Sequence, residues 1–248
     1  MSLRPFLFCG GPGLLGNTVF REFLNCQADI ALGPEIDLLR FITGTHSEIL
    51  KAEVYLKEFL LAPQDFDEIF AQMISQVLDG VPDAEQMRWI AEVSPFNSLC
   101  MDGLHSLFPD SMMIFVVQDA RAVISARLEK EEPGEKERRV RLYELAHDWV
   151  RAAEGGIQSM TSSVVASRSG MLRLEDLIMN PSQTAQTLRQ HLGLTISGFD
   201  EARFADFLEK QKACNGMGDW RQKLDLDDLK ILNHVCGAKL RELNYFGL

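Results

Sequence analysis

The chain has 248 residues, 46% of them hydrophobic, and a formal net charge of -11. That is enough apolar content to bury a core unaided, and too much negative charge for nonspecific attraction to nucleic acid or anionic membrane. Five scattered cysteines (Cys9, Cys26, Cys100, Cys214, Cys236) form no CxxC pair, which points to reduced thiols and away from a zinc site or a disulfide framework. No run is long and apolar enough to span a bilayer and no signal-peptide core follows Arg4, so the expectation is a cytoplasmic protein without membrane insertion.

Phe6–Cys9 reads as an apolar strand running into Gly10-Gly11-Pro12-Gly13-Leu14-Leu15-Gly16-Asn17-Thr18, after which Val19, Phe20, Phe23 and Leu24 recur at helical spacing. Strand, glycine-rich loop and helix start in that order can present backbone N–H groups to an anion. Such a loop normally brings a Lys or Arg, and here its middle is Leu14-Leu15, a pair that apolar packing would also explain. Ala28–Leu32 is a short apolar segment stopped by Gly33-Pro34, with the carboxylate of Glu35 next. Residues 36–61 look helical without one clean period. From Pro63, the spacing of Phe66, Ile69, Phe70, Met73, Ile74, Val77 and Leu78 predicts a helix with one buried face, ended by Gly80-Val81-Pro82.

Met87–Val93 reads as a strand, Asn97–Phe108 as a helix, and Met112–Val117 as a continuous apolar strand that belongs inside a sheet covered on both faces. A helix over Ala120–Lys130 meets a dense charge run, Glu129–Arg141, which reads as a solvated loop around Pro133-Gly134. Leu142–Ile157 follows as a helix and Met171–Leu174 as a late strand. Helices from Ser182, Phe199 and Asp225 close the chain, with Asn215–Trp220 as a glycine-rich joint.

The alternation predicts one domain over 1–248, an α/β fold with a mostly parallel sheet and helices on both faces. Phe6–Cys9 and Met112–Val117 should be neighbouring central strands. Functional groups of such sheets lie beyond the strand C-termini, where Gly10–Gly16, Glu35, Ser94 and Gln118-Asp119 fall. The histidines (His46, His105, His147, His191, His234) lack the i, i+4 pairing of a metal site, so no metal is expected. No GK[ST] closes the loop, which argues against a P-loop nucleotide kinase.

Four stretches in order resemble the sulfotransferase family, particularly its bacterial and tyrosylprotein branch. Gly10–Thr18 lines up with a GGxGRSGTT or GGxPRSGTT loop, followed by the GPE of Gly33-Pro34-Glu35. Val93-Ser94-Pro95-Phe96-Asn97 is similar to KTPxN or KDPF, Phe115–Val123 to VRDPRAV, and Leu172–Leu177 to VRYEDL, with Gly218-Asp219-Trp220-Arg221 and Leu243-Asn244-Tyr245 later. The resemblance covers nearly the whole chain. It implies a P-loop-like three-layer fold and transfer of a sulfuryl group from 3′-phosphoadenosine 5′-phosphosulfate (PAPS) to a hydroxyl or amine, leaving adenosine 3′,5′-bisphosphate.

Carried over position by position, the resemblance implies cofactor contacts at Gly11, Gly13, Gly16, Asn17, Thr18, Gln118, Arg121, Ser125, Arg173 and Arg221, with Glu35 as the catalytic base. On residues alone, Glu35 is equally a capping carboxylate after a turn. The departures fall on the donor's cations. The loop Arg and Ser are Leu14 and Leu15, the first loop Thr is Asn17, and the Lys before the Pro is Val93. The Arg of VRD that grips the 3′-phosphate is Gln118, the Ser eight residues on is Ala126 with Ser125 adjacent, and the Tyr of RYED is Leu174. Losing one positioned donor commonly costs roughly 3–4 kcal/mol of barrier. Two functions follow from the resemblance: a weakly active or non-catalytic sulfotransferase-like protein serving binding or assembly, or an active enzyme with Arg121, Arg173 or Arg221 replacing the missing cations. The acceptor or protein partner is left open.

Overall fold

A computed structural model describes residues 5–15, 18–33, 39–51, 58, 62–162, 165–194, 198–215 and 220–245. Five strands pair in parallel: β1 (Phe6–Gly10), β2 (Ile30–Leu32), β3 (Trp89–Val93), β4 (Met112–Val117) and β5 (Ser169–Arg173), in the order β2-β3-β1-β4-β5. The two unbroken apolar runs are neighbours at the centre, Leu7 opposite Met112 and Cys9 opposite Ile114, and every residue of β1 and β4 is buried.

The described helices are α1 (Val19–Asn25), α2 (Leu39–Lys51), α3 (Pro63–Asp79), α4 (Met101–Leu107), α5 (Ala120–Glu131), α6 (Glu135–Thr161), α7 (Leu174–Met179), α8 (Pro181–His191), α9 (Glu201–Asn215), α10 (Trp220–Lys223) and α11 (Leu226–Glu242). The two-residue period of the strands sorts their side chains into two cores. Phe6, Phe8, Met113, Phe115 and Val117 pack with α2–α6, α10 and α11, whereas Leu7, Cys9, Met112, Ile114 and Val116 pack with α1 and α7–α9. Helices therefore cover both faces, as the alternation predicts. Each fully buried Phe or Leu contributes about 1.5–3 kcal/mol, so both faces of the central strands are strongly specified.

A buried charge network ties the far core to the sheet edge. Arg189 on α8 is fully buried, pairs with Asp29 just before β2, and donates from Nη1 to Gln27 Oε1 (3.1 Å) and the Gly198 carbonyl (3.1 Å). No described helix is long and apolar enough to cross a membrane.

Several boundaries differ from the sequence reading for identifiable reasons. The helix expected over Asn97–Phe108 splits into a 3-10 turn, Pro95–Leu99, and α4, with Cys100 between them. The turn is held by the end of β1: Gly11 N–H donates to the Pro95 carbonyl (2.8 Å), and Asn97 Nδ2 donates to the Cys9 carbonyl (3.1 Å) and to the Glu92 carboxylate. The late strand begins at Ser169, and Leu174 already opens α7, a helix too short to show a period. In residues 36–61 the described helix is α2; residues 36–38, 52–57 and 59–61 lie outside the described residues.

The charge run Glu129–Arg141 is not a loop. Only Glu132–Gly134 leave the helical path, with Glu132 at φ 45°, and the charges pair across the corner. Glu131 accepts from Arg141 (2.5 Å) and Arg127 (2.6 Å), and Lys223 reaches Glu129 (2.5 Å). Hydrogen bonding from Arg141, then from Arg127, lowers the Glu131 carboxyl from its ordinary 4.5 to about 2. A depressed carboxyl pKa stabilises the fold above the unfolded value, and this is lost as pH falls through the folded one. Glu131→Gln should therefore reduce unfolding free energy by about 1 kcal/mol near neutrality. In urea titrations this deficit should hold down to about pH 5 and close toward about pH 2; a deficit unchanged at pH 3 would exclude the pairing as its source.

Candidate functional site

The glycine-rich loop leaves β1 with Gly11 at φ 123°, a conformation that side chains rarely adopt. A Cβ there would also stand 2.4 Å from the Val116 carbonyl and 2.7 Å from the Phe115 ring, and one on Gly13 would stand 2.9 Å from the Val117 backbone. Both glycines therefore let the loop press onto the end of β4. Pro12–Leu14 form a 3-10 turn packed against β4, α5 and α6. Leu14 N–H donates to the Gly11 carbonyl (3.1 Å) and Leu15 N–H to the Pro12 carbonyl (3.3 Å), so with Gly11 three loop amides are committed to protein acceptors.

Leu14 and Leu15 are 4% and 6% exposed and point into different cores. Leu14 joins the one that holds Cys9, Val19 and Leu174; Leu15 joins the one that holds Leu39, Phe115 and Trp149. Thr18 precedes α1 as its exposed N-cap residue and makes no side-chain capping bond. Gly16 and Asn17 lie outside the described residues, as do Glu35 and Gly216–Asp219.

A second group gathers beyond β4 and β5. The Gln118 carbonyl accepts from Trp149 Nε1 (3.1 Å). Asp119 caps α5 by accepting from Arg121 N–H (2.9 Å) and also clamps the Arg121 guanidinium, with Nη2–Oδ2 at 2.6 Å. Asp119 N–H donates to Glu175 Oε1 (3.0 Å), and Glu175 Oε2 accepts from the Tyr245 hydroxyl (2.9 Å). Burial, then the adjacent Glu175 charge, pushes that phenol well above its usual range. Arg121 and Arg221 each lie 4.4 Å from the Trp220 ring centre, Arg173 lies 4.2 Å from that of Tyr245, and Arg173 Nη1 donates to the Leu243 carbonyl (3.2 Å). Ser125, one turn after Arg121, is buried with Oγ donating to the Ala122 carbonyl (3.1 Å).

Of the residues singled out from sequence, Gln118, Arg121, Arg173 and Arg221 are thus brought together, linked by aromatic rings and by Asp119. The sequence reading placed Asp119 at the functional strand ends without giving it a role, and did not single out Glu175, Trp220 or Tyr245 as site-forming groups. An Asp between strand and helix is a capping signal that gives the first its role; Glu175 and Tyr245 show only through contacts across 56 and 70 residues, and Trp220 through its ring against Arg121. Arg21 was also missed. Its Nη2 donates to the Gly33 carbonyl (2.7 Å), tying α1 to the end of β2, and its buried Nη1 has no acceptor among the described residues.

The described part of the loop, Gly10–Leu15, carries no side-chain cation. Its two apolar side chains are inside the protein, three of its amides are occupied, and the nearby Arg121 is already paired with Asp119. Among the described residues no group of three His, Cys, Asp or Glu could hold a metal ion.

The sequence model of the sulfotransferase family matches residues 7–198. Protein-tyrosine sulfotransferase 2 of Gallus gallus is 22% identical over 196 residues, 78% of this chain and 52% of the relative, so the chain spans about half the length of that curated relative. Among solved structures, the sulfotransferase domain from the Synechococcus PCC 7002 olefin synthase superposes with a TM-score of 0.61 at 20% identity, covering 100% of this chain and 96% of that one. Mouse sulfotransferase SULT7A1 complexed with PAP superposes with a TM-score of 0.54 at 12% identity, over 97% and 85% of the two chains. At these identities the superpositions establish the shared α/β fold.

The burial of the loop leucines has a direct consequence for stability. Leu14→Arg and Leu15→Ser should each lower unfolding free energy by about 2–4 kcal/mol, through lost apolar packing and a polar group left in an apolar surround. Chemical denaturation measures this, and losses under about 0.5 kcal/mol would show that neither side chain is a core element.

Proposed function

Because the chain belongs to the sulfotransferase family, we propose that it is a member whose PAPS phosphate-binding side chains are largely replaced, serving binding or assembly with little or no sulfuryl transfer. The observation that carries this reading is the burial of Leu14 and Leu15 in two separate cores, at the positions where the family resemblance puts the loop Arg and Ser. Gln118, at the position of a phosphate-gripping Arg, can offer only a neutral hydrogen bond, about half as strong as a charge-assisted one. Val93, at the position of a Lys, is buried as well.

A second reading has one observation in its favour: Arg121, Arg173 and Arg221 gather near Gln118. On that reading the chain is an active sulfotransferase with an altered site. Gly11, Gly13, Gly16, Asn17, Thr18, Gln118, Ser125 and these arginines would hold PAPS, and Glu35 would take the proton of a hydroxyl acceptor. The mouse relative's complex with PAP makes that nucleotide the natural probe.

Calorimetric titration with adenosine 3′,5′-bisphosphate separates the two. The first reading expects no saturation below about 1 mM, near -4 kcal/mol of binding free energy. Micromolar binding, together with sulfation of a hydroxyl acceptor that Glu35→Gln abolishes, would establish the second instead.

A further inference from the structure

From Pro63 the apolar spacing predicts a single buried face on α3, and the structure divides that face in two. Ile74 and Leu78 enter the core, while Phe66 and Phe70 are half-buried beside His46 of α2. The His46 ring centre lies 5.1 Å from that of Phe70, and its Nε2 pairs with Asp67 at 2.6 Å. These contacts fix how α3 is turned about its axis. They leave Ile69, Met73 and Val77 facing outward, 51%, 41% and 43% exposed. At 100° per residue the three fall within an arc of about 80° and a length of about 12 Å, so they form one continuous stripe over two turns. A lone exposed apolar residue is ordinary; a contiguous stripe marks an interaction face.

Charge around the stripe decides what can cover it. Residues 62–86, which hold α3 and the turn after it, contain Asp65, Asp67, Glu68, Asp79, Asp83 and Glu85 and neither Lys nor Arg. Among the described residues only Asp67 of these six is ion-paired, with His46. Asp65, Gln72, Gln76 and Asp79 run along one flank of the stripe, all exposed. A second copy of the chain would press an equal set of carboxylates against the first, and an anionic membrane would be repelled in the same way. The complementary occupant is cationic.

We propose that α3 is the docking face for a cationic amphipathic helix of a partner protein. The partner's apolar residues, at i, i+3, i+4 and i+7 spacing, seat on Ile69, Met73 and Val77, and its Lys or Arg residues meet the flanking carboxylates. Met73 at the centre suits this role, because an unbranched thioether repacks around apolar side chains of different shape. The proposal deepens the binding or assembly role inferred above by naming the partner's chemistry, and rests on that reading for its biological sense only.

The test titrates the full chain into a fluorescent peptide of about 15 residues, built of leucine and lysine with leucine at i, i+3, i+4 spacing, and follows its anisotropy. Saturable one-to-one binding is expected with Kd below about 50 μM. A peptide of the same composition with leucine spread around the helix carries the same charge and should bind at least about tenfold weaker. Met73→Lys sets a cation in the middle of the stripe at an exposed position, so it should keep the melting temperature and weaken binding by about tenfold or more. Val140→Lys, which adds the same charge at an exposed residue of α6, should leave the affinity within about twofold. Equal affinity in Met73→Lys, equal affinity of the two peptides, or an equal loss in Val140→Lys overturns the proposal. So does sedimentation showing that the chain alone forms a dimer that Met73→Lys dissociates, which would give the face to a second copy. Titrating Met73→Lys with adenosine 3′,5′-bisphosphate tests the functional reading separately: micromolar nucleotide binding overturns that reading and leaves the peptide result standing, and failure of the peptide leaves the nucleotide result standing.

Discussion

Everything at the C-terminal end of the sheet depends on how closely the chain after β1 approaches its two neighbouring strands. Gly10 abuts Asn97 and Ser98 after β3, and Gly11 and Gly13 abut Val116 and Val117 of β4, at distances that exclude any Cβ. The Phe115 ring is wedged between Gly11 on one side and Gly156 of α6 on the other, where a Cβ would fall 2.0 Å from the ring. Close packing of this kind transmits position: a shift of the loop would move β4, the Pro95–Leu99 turn and α6 together. It also explains why the loop amides bond to protein carbonyls, since the backbone is folded inward to make these contacts.

Electrostatics at the same end follow the same inward pattern. Where a loop that holds a free anion would present uncompensated cations, here Arg121 is clamped by Asp119, Asp119 is fixed through Glu175, and Glu175 is held by Tyr245. Trp220 and Tyr245 cover two of the three gathered arginines and contact the third, lowering the cost of keeping charged groups partly out of water. The result is a network of paired and ring-stacked charges beyond β4 and β5. Fold and function are separate questions here, and function has to be argued from the site.

The five strands of the sheet were legible as apolar or half-apolar runs at nearly their observed positions. The centrality of β1 and β4 followed from their being apolar on both faces, which only a doubly covered strand tolerates. Failures came where a local signal was weaker than a tertiary one. Asn97–Phe108 has helix-compatible residues throughout, yet Asn97 bonds to Cys9 and Glu92 and breaks the helix at Cys100. The charge run at Glu129–Arg141 looked solvated because its partners, Lys223 among them, are up to 94 residues away in sequence.

By itself the sequence determined the α/β alternation, the order of glycine loop, strand ends and late motifs, and hence the family, because periodicity and motif spacing are local properties of a chain. It also determined that the loop carries Leu14 and Leu15, since that is a matter of residue identity. What only the tertiary structure decided is where those two leucines went. Two adjacent leucines could have lined an open pocket or entered a core, and nothing local distinguishes these outcomes. Their burial on opposite faces depends on a loop folded against β4 by glycine contacts with Val116 and Val117, more than 100 positions away in sequence. In the same way Arg121 pairs locally with Asp119, the cap of its own helix, but the Trp220 ring reaches it only once α5 and α10 are packed together.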